Sequence, residues 1–130
     1  MSQPIQPIRV ILADDHTLVR AGMRVLLEKL PGVEVVGEAS EGREALRLVR
    51  KHRPDVVLMD ISMPGLNGLE AARLIRKEKP GPQIVIITQH DSPQIRSAAI
   101  EAGARAFVTK SAVANELVSA LRGLILDQGN

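Results

Sequence analysis

Short apolar runs alternate with longer amphipathic stretches along this chain, five times in succession. Residues 8–13 form a β-prone run interrupted only by Arg9, which reads as a buried strand. Residues 16–30 read as a helix, with Val19, Gly22, Leu26 and Leu30 on one face and Arg20, Arg24 and Glu28 outside it. Pro31-Gly32 stops that helix, and residues 33–38 predict a second strand. Ser40 is a candidate N-cap for a helix to about His52, with Ala45, Leu46 and Val49 inward, and Arg53-Pro54 breaks it. Residues 55–60 predict a third strand, apolar on both faces from Val56 to Met59. A loop centred on Met63-Pro64-Gly65 leads to a helix over residues 68–79 carrying Leu69, Ala72 and Ile75, which Pro80-Gly81-Pro82 ends. Residues 83–88 predict a strand, and Ser92-Pro93 sets a cap before a proline at the first helical position. That helix closes at Gly103, a candidate left-handed C-cap, before a short strand over 105–108 and a last helix over 112–126.

Strands alternating with single helices require a parallel sheet with right-handed crossovers. The expected fold is therefore α/β: one (βα)5 flavodoxin-like domain, its five strands in the order 2-1-3-4-5 with helices on both faces. The domain is expected over residues 8–126, with a loose tail over 1–7 and a tail or linker start over 127–130. In that order the first and third strands are neighbours, and ligands bind at the carboxyl ends of the strands.

Asp14-Asp15, Asp60, Thr88 and Lys110 fall at four of those strand ends. Taken singly, each has an ordinary explanation. An Asp-Asp pair after a strand is usually a cap and a solvated turn, and an aspartate before Met-Pro-Gly usually forms a turn. A threonine ending a strand is usually a β-branched strand residue, and a lysine after a strand is usually solvated. Their joint placement is what points to a site. Three carboxylates brought together repel one another and call for a cation. Mg2+ takes oxygen ligands and commonly sits with one or two carboxylates plus a phosphate. Asp60 could then attack phosphorus, with Lys110 and Thr88 offering an ammonium and a hydroxyl to the phosphoryl oxygens.

Composition narrows the function classes. Hydrophobic residues make up 45% and charged residues 25%, as in an ordinary globular chain. Seventeen basic residues against 15 acidic ones leave a net charge of +2, too balanced to imply nucleic-acid binding by the chain itself. The absence of cysteine excludes disulfides and thiolate metal sites and suits a reducing compartment. Met1 to Pro7 lacks the features of a signal peptide, and no apolar run reaches membrane-spanning length, so a cytoplasmic location is expected.

Four stretches now stand together: Ile11-Leu12-Ala13-Asp14-Asp15-His16, Leu58-Met59-Asp60-Ile61-Ser62-Met63-Pro64-Gly65, Ile86-Ile87-Thr88 and Phe107-Val108-Thr109-Lys110. In this order they resemble the signatures of the receiver domains of bacterial two-component response regulators. Ala13-Asp14-Asp15-His16 and Glu101-Ala102-Gly103-Ala104 resemble the subfamily with a C-terminal LuxR/NarL-type helix-turn-helix domain. The resemblance implies that Asp60 accepts a phosphoryl group from a phosphohistidine on a sensor histidine kinase. It implies Mg2+ held by Asp15, Asp60 and the Ser62 carbonyl, with Asp14 acting through metal-bound water. It implies that Thr88 and Phe107 form a switch pair and that the face from Ser92 to Leu126 changes its partners. A homodimer on phosphorylation, and DNA contacted only through a domain absent from this chain, complete the implied partners.

Departures from the pattern also matter. Gln89 stands where the family often has a small residue and bears on the lifetime of a phosphorylated state. Ser111 replaces a frequent proline, so no cis bond is presumed, and Phe107 replaces a frequent tyrosine and cannot donate a hydrogen bond. On the chain alone Phe107 is as readily a core aromatic. His16 reads as a surface contact to the kinase, His90 as a solvated loop residue, and Arg43, Arg47, Arg50, Lys51 and Arg53 as a solvated helix face. Two rival readings stand beside the receiver: a haloacid-dehalogenase-type phosphotransferase and an unphosphorylated scaffold. The first needs a second acid two residues after the nucleophile, where this chain has Ser62.

Overall fold

The structure, a computed structural model, describes residues 7–63, 67–79, 81–89 and 92–110, together with Ser119, Leu121 and Gly123. Five strands, β1 (Ile8–Ala13), β2 (Val33–Ala39), β3 (Val56–Asp60), β4 (Gln83–Thr88) and β5 (Ala106–Thr109), pair in parallel in the order β2-β1-β3-β4-β5. Between them run α1 (Thr17–Glu28), α2 (Gly42–His52), α3 (Gly68–Arg76) and α4 (Pro93–Glu101). The expected last helix lies mostly outside the described residues; Ser119, Leu121 and Gly123 are helical, and Leu121 is buried. Pro64-Gly65, His90 and Ser111 also lie outside them. Among the described residues no helix is long and apolar enough to cross a membrane.

The central strands are apolar on both sides because each side meets its own core. Ile11, Val57, Met59, Ile84 and Ile86 pack toward α2, α3 and α4 with Ala45, Val49, Ala72, Ile75 and Ala99. Val10, Leu12, Val56, Leu58, Val85, Ile87 and Val108 face the other way, against Met23 and Leu27 of α1 and Leu121. The period-two alternation thus assigns each strand residue to one of two separate cores.

Element ends follow local chemistry. Asn67 caps α3 by accepting from the Glu70 N–H at 3.0 Å, and its own amide donates to the Glu70 carboxylate at 2.7 Å. Ser92 caps α4 as expected, accepting from the Ile95 N–H at 3.1 Å ahead of Pro93. Gly103, at φ +104°, lets the Ala104 and Gly103 N–H groups return to the Ala99 and Ile100 carbonyls, the paired bonds of a Schellman stop. Arg9, the one interruption in β1, donates to the His52 and Arg53 carbonyls and so closes the C-terminus of α2.

Three readings of the sequence are corrected. The buried residues of α1 are Met23 and Leu27, one position on from Gly22 and Leu26, because Val19, Met23, Leu27 and Leu30 are the set that meets the sheet. Glu41, not Ser40, is the cap residue of α2, and the Ser40 N–H instead donates to the Glu44 carboxylate at 3.0 Å. Helix α2 also buries Leu48, and α3 buries Ala71 and stops at Arg76. The basic cluster of α2 is exposed throughout, as read, with Arg50 paired to Glu78 at 2.8 Å.

Gly68 is the tightest point of the fold. A Cβ there would stand 2.1 Å from the Asp60 carbonyl oxygen and 2.8 Å from the Ile61 Cα, both backbone atoms that cannot swing aside. The Gly68 N–H donates to the Ile61 carbonyl at 3.0 Å, so α3 starts directly against the end of β3. Gly68→Ala is expected to destabilise the chain by at least about 2 kcal/mol in urea unfolding, whereas Gly22→Ala, in open space on a helix, should be neutral or stabilising.

Candidate functional site

Strand register brings the sequence-distant polar groups together. Ala13 pairs with Met59, so Asp14 and Asp60 leave β1 and β3 side by side. Asp60 pairs with Ile87 and Thr88 pairs with Thr109, which sets Lys110 one residue beyond the same edge. Asp14 is wholly buried, Asp60 is 1% exposed and Thr88 3% exposed, so this cluster has exchanged most of its water for protein. Asp15 lies further out, with about a third of its side chain exposed. One oxygen from each carboxylate and the His16 Nδ1 all lie within 4.8 Å of one another.

The local cation is Lys110. Its ammonium is 3.2 Å from Asp60 Oδ2 and 3.3 Å from Asp14 Oδ2, with only 9% of its side chain exposed. The Ser62 N–H donates to Asp60 Oδ1 at 3.2 Å and the His16 N–H to Asp14 Oδ1 at 2.8 Å. Asp14 Oδ2 is fully buried and accepts no hydrogen bond, leaving the ion-pair contact with Lys110 as its compensation. A buried carboxylate oxygen in that condition is costly unless a cation meets it. The donor set of Asp14, Asp15 and Asp60, all oxygen, therefore fits a hard divalent ion.

Burial, and then the Asp14 charge, push the Asp60 carboxyl up from 3.8 to about 6, against the opposing pull of Lys110 and the Ser62 N–H. Near neutral pH the group is still mainly ionised, as a nucleophile must be.

Two further residues belong to the site. His16 does not stand away from the pocket: its Nδ1 is 3.2 Å from Asp14 and 3.3 Å from Asp15. Arg20 donates to the Asp14 carbonyl at 2.6 Å and to Glu38 on β2 at 2.9 Å, and Arg24 also pairs with Glu38. The Asp14 backbone is thus tied to both α1 and β2. The signal for Arg20 was its place one helical turn after His16, but periodicity marks such a residue only as outward.

Phe107, the expected switch aromatic, is half-buried on β5 against the α2–α4 core, and the Arg96 guanidinium lies 4.6 Å above its ring. Thr88 shares that side of the sheet, two residues beyond Ile86, the register partner of Phe107. The structure therefore places Asp14, Asp15, Asp60, Ser62, Thr88 and Lys110 at one edge, and Phe107 behind it, under α4. Gln89 follows Thr88 and is exposed.

A carboxyl whose pKa rises on folding opposes folding once it ionises. The unfolded chain then binds fewer protons than the native one between about pH 4 and 6, so the contribution of Asp60 to stability falls as pH rises through that window. Asp60→Asn is accordingly expected to stabilise the metal-free chain by roughly 1–2 kcal/mol at pH 7, with the gain fading toward pH 4. Urea titrations of both chains at the two pH values check this, and a gain that grows on acidification would contradict it.

Comparison with known proteins agrees with this architecture. The response regulator receiver domain family matches residues 10–122. Response regulator UvrY of Escherichia coli K12 is 45% identical over 121 residues, covering 93% of this chain and 56% of that protein. The transcriptional regulatory protein LiaR of Bacillus subtilis is 43% identical, covering 88% of this chain and 54% of its own length. The chain thus spans about half the length of these relatives. Among solved structures, a LuxR-family response regulator from Aurantimonas superposes with a TM-score of 0.88 at 43% identity, covering 94% of this chain and 87% of that one. The signal receiver domain of NarL from Mycobacterium tuberculosis gives 0.84 at 38% identity, covering 91% and 95%. With its sheet order, its carboxylates at the edge and these relatives in agreement, the chain belongs to the response regulator receiver domains of two-component signalling, on the branch that includes LuxR-family regulators.

Proposed function

We propose that Asp60 is the phosphoryl acceptor of this receiver, charged from the phosphohistidine of a sensor histidine kinase with Mg2+ in the pocket. One observation carries the reading: a largely enclosed ammonium, Lys110, bridges Asp60 to Asp14, whose second oxygen accepts no hydrogen bond. An anion-binding cation and a cation-binding carboxylate set side by side are what an incoming phosphoryl–metal pair requires.

In the proposed step an Asp60 carboxylate oxygen forms a bond to phosphorus as the P–N bond to the donor imidazole breaks. The imidazole leaves with the electron pair and takes up a proton. Asp15, Asp60 and the Ser62 carbonyl would hold Mg2+, with Asp14 acting through its water; when bound, the ion offsets the charge gathering on the phosphoryl oxygens. Lys110 gives up its contact with Asp60 to meet a phosphoryl oxygen, and Thr88 supplies a hydroxyl to another. Water later attacks the acyl phosphate past Gln89 and restores Asp60. This self-phosphorylation and slow release would be its whole chemistry.

Phe107 would change its packing under Arg96 when Thr88 moves, altering the surface from Ser92 onward. The switching unit would run over residues 8–126 in the cytoplasm. Output would pass through homodimerisation and a C-terminal LuxR/NarL-type DNA-binding domain, as the length and names of the relatives suggest. The scaffold alternative would leave the pairing of Lys110 with two buried carboxylates without a purpose.

Intact mass after incubation with acetyl phosphate tests the reading, and suits a chain that has neither Trp nor Tyr as a fluorescent reporter. One labile phosphoryl adduct is expected, lost with Asp60→Ala and lost on chelation of Mg2+. An adduct that survives Asp60→Ala would assign the acceptor elsewhere.

A further inference from the structure

We propose that the His16 imidazole is itself a metal ligand, and that it widens the carboxylate pocket to first-row divalent ions that favour nitrogen, with Ni2+ as the representative. The inference rests on the reading of this pocket as a metal site.

Geometry supplies the first argument. His16 Nδ1 stands 3.2 Å from Asp14 Oδ1, 3.3 Å from Asp15 Oδ1 and 3.9 Å from Asp60 Oδ2. Two donors at adjacent positions on an octahedral ion, with bonds near 2.1 Å, stand about 3 Å apart, and opposite donors about 4 Å apart. The nitrogen therefore sits at the spacing of a member of the same coordination shell.

The second argument comes from the ammonium. Lys110 Nζ lies 3.0 Å from His16 Nδ1, 3.2 Å from Asp60 Oδ2 and 3.3 Å from Asp14 Oδ2. A cation thus already occupies the point where the imidazole nitrogen and two carboxylates meet. An ammonium has only hydrogens to offer, so the Lys110 contact uses the Nδ1 lone pair, whereas the Asp14 contact at 3.2 Å uses an Nδ1–H. A metal would use that same lone pair.

Third, the ring is held by polar contacts and by the backbone rather than by packing. Its side chain is 47% exposed, so burial does not hold it there. The backbone aims it instead: His16 is the residue before α1, in extended conformation, with its N–H on Asp14 Oδ1 and its carbonyl accepting from Arg20. Asp14 Oδ2, fully buried at the floor of the pocket, accepts no hydrogen bond and lies 3.3 Å from the Lys110 ammonium, which marks this corner as a place for a cation.

Ligand chemistry then sets the preference. Carboxylate and carbonyl oxygens alone suit Mg2+, whereas an added imidazole raises affinity for Ni2+, Zn2+ and Co2+ and does little for Mg2+. The nickel-to-magnesium affinity ratio of this pocket therefore depends on one side chain.

Calorimetric titration of the whole chain with Mg2+ and with Ni2+, for the native protein, His16→Gln and His52→Gln, tests this. His16→Gln is expected to weaken Ni2+ by at least roughly tenfold, to leave Mg2+ within about twofold, and to shift the Ni2+ absorption bands as a nitrogen donor is lost. Retained Mg2+ binding also shows that this variant is folded. Equal Ni2+ affinity in native and His16→Gln chains would overturn the proposal while leaving the Mg2+ site standing. A Ni2+ loss that follows His52→Gln instead would also overturn it, by putting the ion on the α2 surface. Failure of the native chain to bind either ion would remove the metal site itself.

Discussion

Two carboxylates, Asp14 and Asp60, end neighbouring strands with almost no water between them, and Lys110 is the cation that makes this tolerable. Much of the fold serves to hold that arrangement. The β1–β3 register sets the two acids side by side, and the β4–β5 register delivers the lysine from the far edge. Arg20 holds the Asp14 carbonyl from α1, and Gly68 lets α3 begin on top of the Asp60 backbone. Removing an element from either side of the sheet would loosen a charge cluster that depends on all of them. A compensated buried cluster stabilises little by itself, yet removing its cation, Lys110, would leave two buried carboxylates facing each other and be expensive. The cluster therefore holds a carboxyl pushed up by burial beside an ammonium that pulls it down.

The sequence was most readable where periodicity and position agree. The five apolar runs, their parallel order and the polar residues that end them follow from alternation and from the topology that βα units allow. The face of α1 did not, because Val19, Gly22, Leu26 and Leu30 and the true set through Met23 and Leu27 are both apolar stripes. Only the tilt of the helix on the sheet decides between them. Ser40 has the chemistry of a cap, but the Glu44 carboxylate takes its N–H and the helix begins one residue later. His16 and Arg20 touch the site in a way that periodicity does not show. Periodicity tells which way a residue points from its own helix, whereas Arg20 of α1 and His16 just before it both reach the end of β1.

Phe107 was open on the chain alone between a switch aromatic and a core aromatic, and its surroundings suit both. It is half-buried against the core shared with α2 and α3, and the Arg96 guanidinium stacks over its ring. A cation over a ring at a partly exposed site contributes about 0.5–1 kcal/mol, far less than burial of the same face would. The ring is held, but weakly, on the side that faces α4.

The sheet also acts as a partition. Thr88 and Phe107 lie on the α2–α4 side, whereas the core beneath α1 is closed by Met23, Leu27 and Leu121. On the α4 side the helix contributes Ala99 alone to the interior. The two helices nearest the strand ends are seated unequally: α1 buries Met23 and Leu27, whereas α4 buries only the Ala99 methyl, with Arg96 stacked on Phe107. Around the pocket, then, the molecule has a firmly keyed helix and a lightly keyed one, distinguished by side-chain volume.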